Sequence, residues 1–430
     1  MKIIQICGTI EGAGITRYLI EVNTALKMAG NEVIAYECTL DTEYSKFQKT
    51  NRNQSLSDTK ILDYSPECIE EINSADLVFV HQLMPKKAVD ELKLLFRDLI
   101  INKLTHPKKV MFFNDHSSTT VGFTKFYGGE WLKDKEFLDA FDHYAIHCTT
   151  NTYMKLLRNV VGKDIADAKY VNIHHPYYMN DDVKDKWIDL NNKHKRITYI
   201  GRWHTVKKPE QMLYLNRYCI ENNKDIEFEM RGIVRLIGLV YIPGLFYEID
   251  PTKEGKESII GPSNETIAVT PTWKKEQGID KDDLLIDYPH DKMMIFGEYK
   301  REDGLLAISK SAFGGEFYHL KTEDDYGDNL EYAMHEIIEY GTVPIFDMHM
   351  LKSVHIFKNG KRTDETLYDA NIAIGLNSDL SNIEEVIKQV EYIYSHPDIY
   401  NEMRNKAFEI LKQHTDPVST AHDLVENCMK

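Results

Sequence analysis

Cysteine is scarce and unpatterned. The six residues Cys7, Cys38, Cys68, Cys148, Cys219 and Cys428 contain no C-x-x-C pair, which excludes a zinc knuckle or a thioredoxin-type site and reads as reduced thiols in a cytosol. Long apolar runs are missing too. The stretch from Leu236 to Tyr247 is broken by Pro243 and Gly244 and falls short of the roughly 18 residues a membrane-spanning helix needs. At the start of the chain Lys2 leads straight into Ile3, Ile4, Gln5 and Ile6, too short and polar for a signal-peptide core, so the protein is expected to stay where it is made. Positive charge is in deficit: 52 Lys and Arg stand against 68 Asp and Glu, a net charge of −16, which excludes a general nucleic-acid coat protein but leaves room for a local basic stripe.

What is present is an ordinary globular composition, 42% apolar and 28% charged over 430 residues, enough for two or three domains. The first 175 residues alternate short β-rich runs with amphipathic stretches. KIIQIC at 2–7 reads as a buried strand, followed by a glycine loop and by Ile15, Leu19, Val22 and Leu26 at helical spacing up to Gly30. Strands recur at 76–81, 110–113 and 144–148, with helical patterns over 89–104 and 153–161. The apolar pattern lapses between 176 and 195, which reads as a linker. A second α/β series follows over 196–415, with strands at 196–200, 226–230, 293–296 and 343–346 and helices over 209–221, 329–340 and 381–394. Residues 250–290 read as a surface insertion, and 416–430 as a last helix crossing back onto the first domain. The expectation is α/β: two doubly wound, Rossmann-like domains facing each other across a cleft, the GT-B architecture. No internal repeat is visible.

Four clusters carry chemistry. The loop Gly12-Ala13-Gly14-Ile15-Thr16-Arg17 sits between a strand and a helix, where backbone N–H groups and the helix dipole can face an anion or a sugar; a plain tight turn uses the same glycines. Asn114-Asp115-His116-Ser117 follows the strand VMFF, at the carboxyl end of which open α/β sheets place their ligands, although Asp115 or Ser117 could equally cap a helix. Gly201-Arg202-Trp203-His204-Thr205-Val206-Lys207 again follows a strand, and its Arg fork and Lys point charge suit a diphosphate leaving group. Between Lys184 and Lys208 eight cations, Lys193 and Lys195 among them, face two acids. The last cluster runs from Ser309 through Asp328-Asn329-Leu330-Glu331 to Glu336 and Gly341-Thr342-Val343-Pro344. Glu331 and Glu336 are five apart, about 140° around a helix, so one of them is expected to face the cleft and accept from the hydroxyls of a ribose.

The segments EGAGITRYLIE (11–21), NDHS (114–117), YIGRWHTVK (199–207), SKSAFG (309–314) and LEYAMHEIIEYGTVPIF (330–346) resemble, in the same order, those of the DNA α-glucosyltransferases of T-even bacteriophages. Retaining GT-B enzymes share a Glu followed five residues later by Gly-Thr-x-Pro, here Glu336 and Gly341. The sequence departs from the family at Asn114, where His is usual. The resemblance implies retaining transfer of glucose from UDP-glucose to the hydroxymethyl group of 5-hydroxymethylcytosine in duplex DNA, in the cytoplasm of an infected bacterium, shielding phage DNA from nucleases. It implies Asp115, Arg202 and Lys207 as catalytic residues. The donor would meet Gly14, Thr16, Gly201, Arg202, Lys207, Phe296, Asp328, Asn329, Leu330, Glu331 and Glu336, and the acceptor Asn114, Asp115, His116, Ser117, Lys193 and Lys195. No metal and no cofactor beyond the sugar donor is implied, no membrane partner, and a monomer is expected. Lys184–Lys208 and the Lys103–Lys109 edge are expected to flank the mouth of the cleft. The residues alone leave open another UDP-sugar such as arabinose, a lipid-linked or polysaccharide acceptor, and a non-catalytic nucleotide-sugar or DNA binder.

Overall fold

The computed structural model describes residues 1–8, 14–38, 59–81, 90–113, 132–201, 207–231, 240–242, 245–249, 257–260, 266–269, 286–287, 293–296, 301–320 and 325–430. Seven parallel strands form the first sheet: β1 (Lys2–Gly8), β2 (Glu32–Cys38), β3 (Lys60–Ile61), β4 (Leu77–His81), β5 (Lys108–Phe113), β6 (His143–Ile146) and β7 (Tyr170–Asn172), in the order β3-β2-β1-β4-β5-β6-β7. Its central strands are near-continuous apolar runs because both faces are covered. Ile4, Ile6, Val78, Val80, Met111 and Phe113 face one core, while Ile3, Leu77, Phe79, Val110 and Phe112 face another. The second core is closed by Tyr18, Val22 and Leu26 of the helix Gly14–Met28 and by Ala421, Leu424 and Cys428 of the helix Pro417–Met429. That last helix starts on Asp416, whose side chain accepts from Ser419 N, with Pro417 in its first turn.

The chain continues with β8 (His194–Ile200) and β9 (Glu227–Arg231). A four-stranded antiparallel sheet of β10 (Val240–Ile242), β11 (Leu245–Ile249), β12 (Glu257–Ile260) and β13 (Thr266–Val269) follows, in and just before the insertion read from the sequence. β14 (Ile286–Asp287), β15 (Met293–Phe296), β16 (Ser311–Glu316) and β17 (Val343–Asp347) come next. The hairpin β18 (His355–Lys358) and β19 (Lys361–Thr366) and then β20 (Ile374–Leu376) complete the strands. The second sheet runs β14-β15-β9-β8-β16-β17-β20, parallel except at β14. One face packs Tyr199, Phe228, Phe313 and Ile345 against Met212 and Leu215 of the helix Glu210–Glu221 and Val386 and Val390 of Ile383–Ser395. The other packs Ile200 and Phe346 against Met334 and Ile337 of the helix Tyr332–Glu339 and Phe408 of Pro397–His414.

β16 reads SAFGGE, and its glycines hide it from a strand pattern. A Cβ at Gly314 would lie 2.6 Å from Ile337 Cγ2, so the glycine lets the Tyr332–Glu339 helix lie against the strand. Residues 176–195 are a packed strap: Tyr177 is fully buried, its hydroxyl donates to Glu339 Oε2 at 2.6 Å, and the Trp187 indole donates to Glu339 O at 2.7 Å.

One side chain does most to join the two sheets. The Asn329 amide donates to His147 O (2.8 Å), Ile173 O (3.0 Å) and Gly327 O (2.9 Å), and its Oδ1 accepts from His175 N at 2.6 Å. Beside it Asp325 accepts from Thr150 N and Thr150 Oγ1 across the same seam. Gly327, at φ +58°, has no alternative there, since a Cβ would strike His147 O. Tyr332 packs against cores of both domains, with His175 stacked parallel to it at 5.8 Å and Tyr18 beyond at 4.7 Å from His175.

Candidate active site

In doubly wound sheets ligands gather outside the carboxyl ends of the strands, where the strand order reverses. In the second sheet that point lies between β8 and β16, so the residues just after Ile200 and at the end of β16 are the ones to inspect. Gly201 follows β8 directly, and Glu316 closes β16. The Lys207 ammonium stands 2.9 Å from Glu331 Oε2 and 3.8 Å from Glu316 Oε1. Glu316 is 0% exposed, and neither of its carboxyl oxygens has a hydrogen-bond partner among the described residues. Burial pushes its pKa up to about 8, with Lys207 pulling it down and Glu331 pushing it up. The result is one cation held between a part-exposed carboxylate and a sealed carboxyl group.

A second group of charges lies at the start of the Gly14–Met28 helix and the start of the strap. Arg301 directs Nε (2.9 Å) and Nη2 (2.6 Å) to the same oxygen of Glu336. From the first domain Arg17 pairs with Glu21 at 2.5 Å and lies over the Tyr177 ring, while Glu21 Oε2 accepts from Tyr178 N. Burial raises the pKa of Glu21 and of Glu339, against the pull of Arg17 on both. Three carboxylates from two domains thus share two guanidinium groups at the place where the first sheet meets the second.

The residues read from the sequence sort into four groups. Asn114, Asp115, His116, Ser117 and Arg202 lie outside the described residues. Gly14 opens the first helix, Thr16 lies in its first turn and Phe296 ends β15. Lys207, Glu331, Glu336 and Gly201 sit at the carboxyl end of the second sheet or beside it, and the pairs Lys207–Glu331 and Arg301–Glu336 are formed. Glu331 is not helical: it caps the helix that starts at Tyr332 with extended backbone, so the angular argument separating it from Glu336 does not apply.

The remaining residues have partners within the chain. Asn329 is fully engaged in the seam. Asp328 accepts from His355 N (2.8 Å) and from Arg362 Nε (2.6 Å) and so anchors the β18–β19 hairpin, while Leu330 is buried in the core. Lys193 is buried, donates to Ser309 O and Ser311 O, and burial lowers its pKa to about 7. Lys195 lies over the Tyr394 ring and 4.0 Å from Glu391. Lys193 precedes β8 and Lys195 is its second residue, so both belong to the amino end of that strand, about 20 Å of extended chain from Gly201. Lys108 and Lys109 likewise begin β5, one donating to Met429 O and the other to Ile100 O and Leu104 O, while Lys103 pairs with Asp98. Lys103, Lys108, Lys109, Lys193 and Lys195 therefore do not lie at the carboxyl ends of the strands, whereas Lys207 of the same basic stretch stands beside Glu316 at the end of β16.

Three residues that the sequence reading gave no role belong to these groups, Glu21, Arg301 and Glu316, beside Arg17 of the glycine loop. Arg301 was within reach, because a charged residue a few positions after the strand MMIF obeys the same positional rule as Lys207. Glu316 was not, because the strand it ends was not recognised.

No family model matches the chain, and no curated protein matches it. Solved structures do. The chain is similar to an α-glucosyltransferase in complex with UDP-glucose and DNA containing an abasic site, at 18% identity and a TM-score of 0.74 with 100% of both chains covered. It is similar to an α-glucosyltransferase in complex with UDP at 19% identity and 0.73, and to one in complex with UDP and a 13-mer DNA containing a HMU base at 18% and 0.72, again over 100% of both chains. Two doubly wound sheets joined in this way and matched from end to end give this chain the GT-B fold of the α-glucosyltransferases.

Proposed function

We propose that the protein is a retaining glucosyltransferase that moves glucose from UDP-glucose to the hydroxymethyl group of 5-hydroxymethylcytosine in duplex DNA. The observation that carries the reading is Lys207, at the reversal point of the second sheet, in a fold shared end to end with α-glucosyltransferases bound to UDP-glucose or UDP and, in some cases, DNA. A sugar–phosphate bond breaks with positive charge growing on the anomeric carbon and negative charge on the departing phosphate. A cation on that phosphate therefore stabilises the transition state more than the ground state. Lys207 is assigned to the phosphate and Arg202, from the sequence, to the same diphosphate. In a front-face route the departing phosphate oxygen takes the acceptor's proton, so the residues need supply no strong base. Asp115 and its neighbours are assigned to the acceptor, and a base of duplex DNA would have to leave the stack to reach them. Glucose on the cytosine of phage DNA would shield it from host nucleases.

Glu336 is assigned to the ribose. Arg301 takes only its Oε1, which leaves Oε2 to accept from a ribose hydroxyl. Contacts to the ribose act alike before and in the transition state. Glu336→Ala is therefore expected to weaken UDP binding about tenfold, one lost charge-assisted hydrogen bond, with a much smaller change in turnover at saturating donor. Calorimetry with UDP and initial rates check the split; unchanged UDP affinity would remove Glu336 from the ribose.

The function is tested by a donor and acceptor screen. Purified protein is incubated with UDP-glucose, UDP-galactose, UDP-GlcNAc or UDP-arabinose over DNA containing cytosine, 5-hydroxymethylcytosine or its glycosylated forms, and nucleosides are read by mass spectrometry. Glucosylated product on hydroxymethylated DNA alone is expected. Product with another sugar would change the donor, and turnover only on a lipid-linked acceptor would overturn the reading.

A further inference from the structure

We propose that Glu316 is the positioning residue of Lys207, and that binding of the nucleoside-diphosphate sugar is coupled to capture of one proton by the Glu316 carboxylate. The proposal rests on the reading of Lys207 as the diphosphate anchor. Glu316 lies where ligands of such sheets gather, ends a wholly buried strand, and keeps both carboxyl oxygens without a hydrogen-bond partner among the described residues. Among the described residues the groups that face it are the Lys207 ammonium at 3.8 Å, Glu331, paired with that same ammonium, and the Tyr199 hydroxyl. Tyr199 and Glu316 meet over Gly201, where an added Cβ would lie 3.3 Å from one oxygen and 3.4 Å from the other. A side chain at 201 would crowd both oxygens.

The two carboxyl groups beside Lys207 are not equivalent. The Glu331 side chain is 25% exposed, at the start of a helix, and can turn to water when a diphosphate takes its place on the ammonium. Glu316 is sealed and cannot. Two phosphate charges brought to the ammonium would leave an ionised Glu316 next to like charge in a low-dielectric pocket, an arrangement that costs more than protonation. The carboxylate therefore takes one proton from solvent as the donor binds, and no bond in the donor breaks. Neutral Glu316 then leaves the Lys207 charge undivided for the phosphate.

The pH dependence follows. The bound state keeps Glu316 protonated to higher pH than the free protein does, so donor affinity is full below the free-state value of about 8 and falls as pH rises through it. The test is calorimetric titration of UDP-glucose, without acceptor, in buffers of different ionisation enthalpy between pH 7 and 8.5. Wild type is expected to take up a proton fraction that is small at pH 7 and grows steeply toward pH 8.5. Glu316→Gln keeps the shape and is expected to bind with no proton uptake and a flat pH profile. Binding without uptake by wild type, or equal uptake in Glu316→Gln, would overturn the role of Glu316 while leaving the donor reading intact. Failure of wild type to bind UDP-glucose at any pH would overturn the donor reading, and this proposal with it.

Discussion

Lys207→Ala is expected to lower glucose transfer to hydroxymethylated DNA by about two to three orders of magnitude, the loss seen when one preorganised stabiliser of a developing charge is removed. The size follows from where the cation sits. It is largely withdrawn from water, with a side chain 14% exposed, so its field on a nearby phosphate is weakly screened. It is also already held by Glu331 and Glu316, so little reorganisation is needed as charge builds on the leaving group. Truncation leaves Glu331 without its ion-pair partner, to repel an incoming diphosphate, and removes from Glu316 the cation that opposes the effect of its burial. Turnover should fall further than UDP affinity, because the phosphate charge grows along the reaction. Initial rates at saturating UDP-glucose decide: a rate within a factor of three of wild type would remove Lys207 from the leaving group. Arg202→Ala, read from the sequence alone, is expected to act in the same direction.

Asn329→Ala is expected to destabilise the fold by about 2–4 kcal/mol, although the side chain is small and is spent on backbone groups rather than on a ligand. The substitution leaves three carbonyls, of His147, Ile173 and Gly327, and the His175 N–H without their partner at a place closed to water. A buried polar group stripped of its partner costs far more than the average worth of a hydrogen bond. Because these groups belong to both sheets, the loss should appear as weakened coupling between domains. Urea unfolding followed by fluorescence is expected to shift to a lower midpoint, and to split into two transitions if the sheets separate first. An unchanged midpoint would show that the seam is held elsewhere. Asp is a sharper probe than Ala, since it keeps the acceptor for His175 N–H but replaces the donors with an oxygen facing three carbonyls.

The architecture was legible because buried parallel strands advertise themselves. KIIQIC, DLVFVH and VMFF are apolar on both faces, and each is found at its expected place within two residues. β16 was missed for a physical reason: a strand that must admit a helix closely gives up side chains there, and glycine erases the pattern. Part of the local geometry was legible. Position relative to a strand end points to Lys207, Glu331 and Glu336, which the structure shows in ion pairs, while residue type alone does not reveal that Asp328 and Asn329 bond to the hairpin and to backbone groups of the seam. The lysines show a second limit. Clustering along the chain says nothing about which end of a strand a charge occupies, and Lys108, Lys109, Lys193 and Lys195 all fall at amino ends.

The helix Pro417–Met429 has a consequence for how the molecule is assembled. The strands of the first sheet are complete by Asn172, yet the core bearing Ile3, Phe79 and Val110, covered in part by the Gly14–Met28 helix, is closed by residues some 250 positions later. A ribosome delivers the first sheet, then the whole second domain, before the segment that finishes the first core is made. The first domain must wait part-uncovered while its neighbour is synthesised, and its last packing step is a loop closure of nearly the full chain length, among the slowest kinds of contact to form. Completion of the first core is thereby a late event, and a chaperone that shields the apolar face of the Gly14–Met28 helix in the interval would act on a surface the finished protein no longer shows.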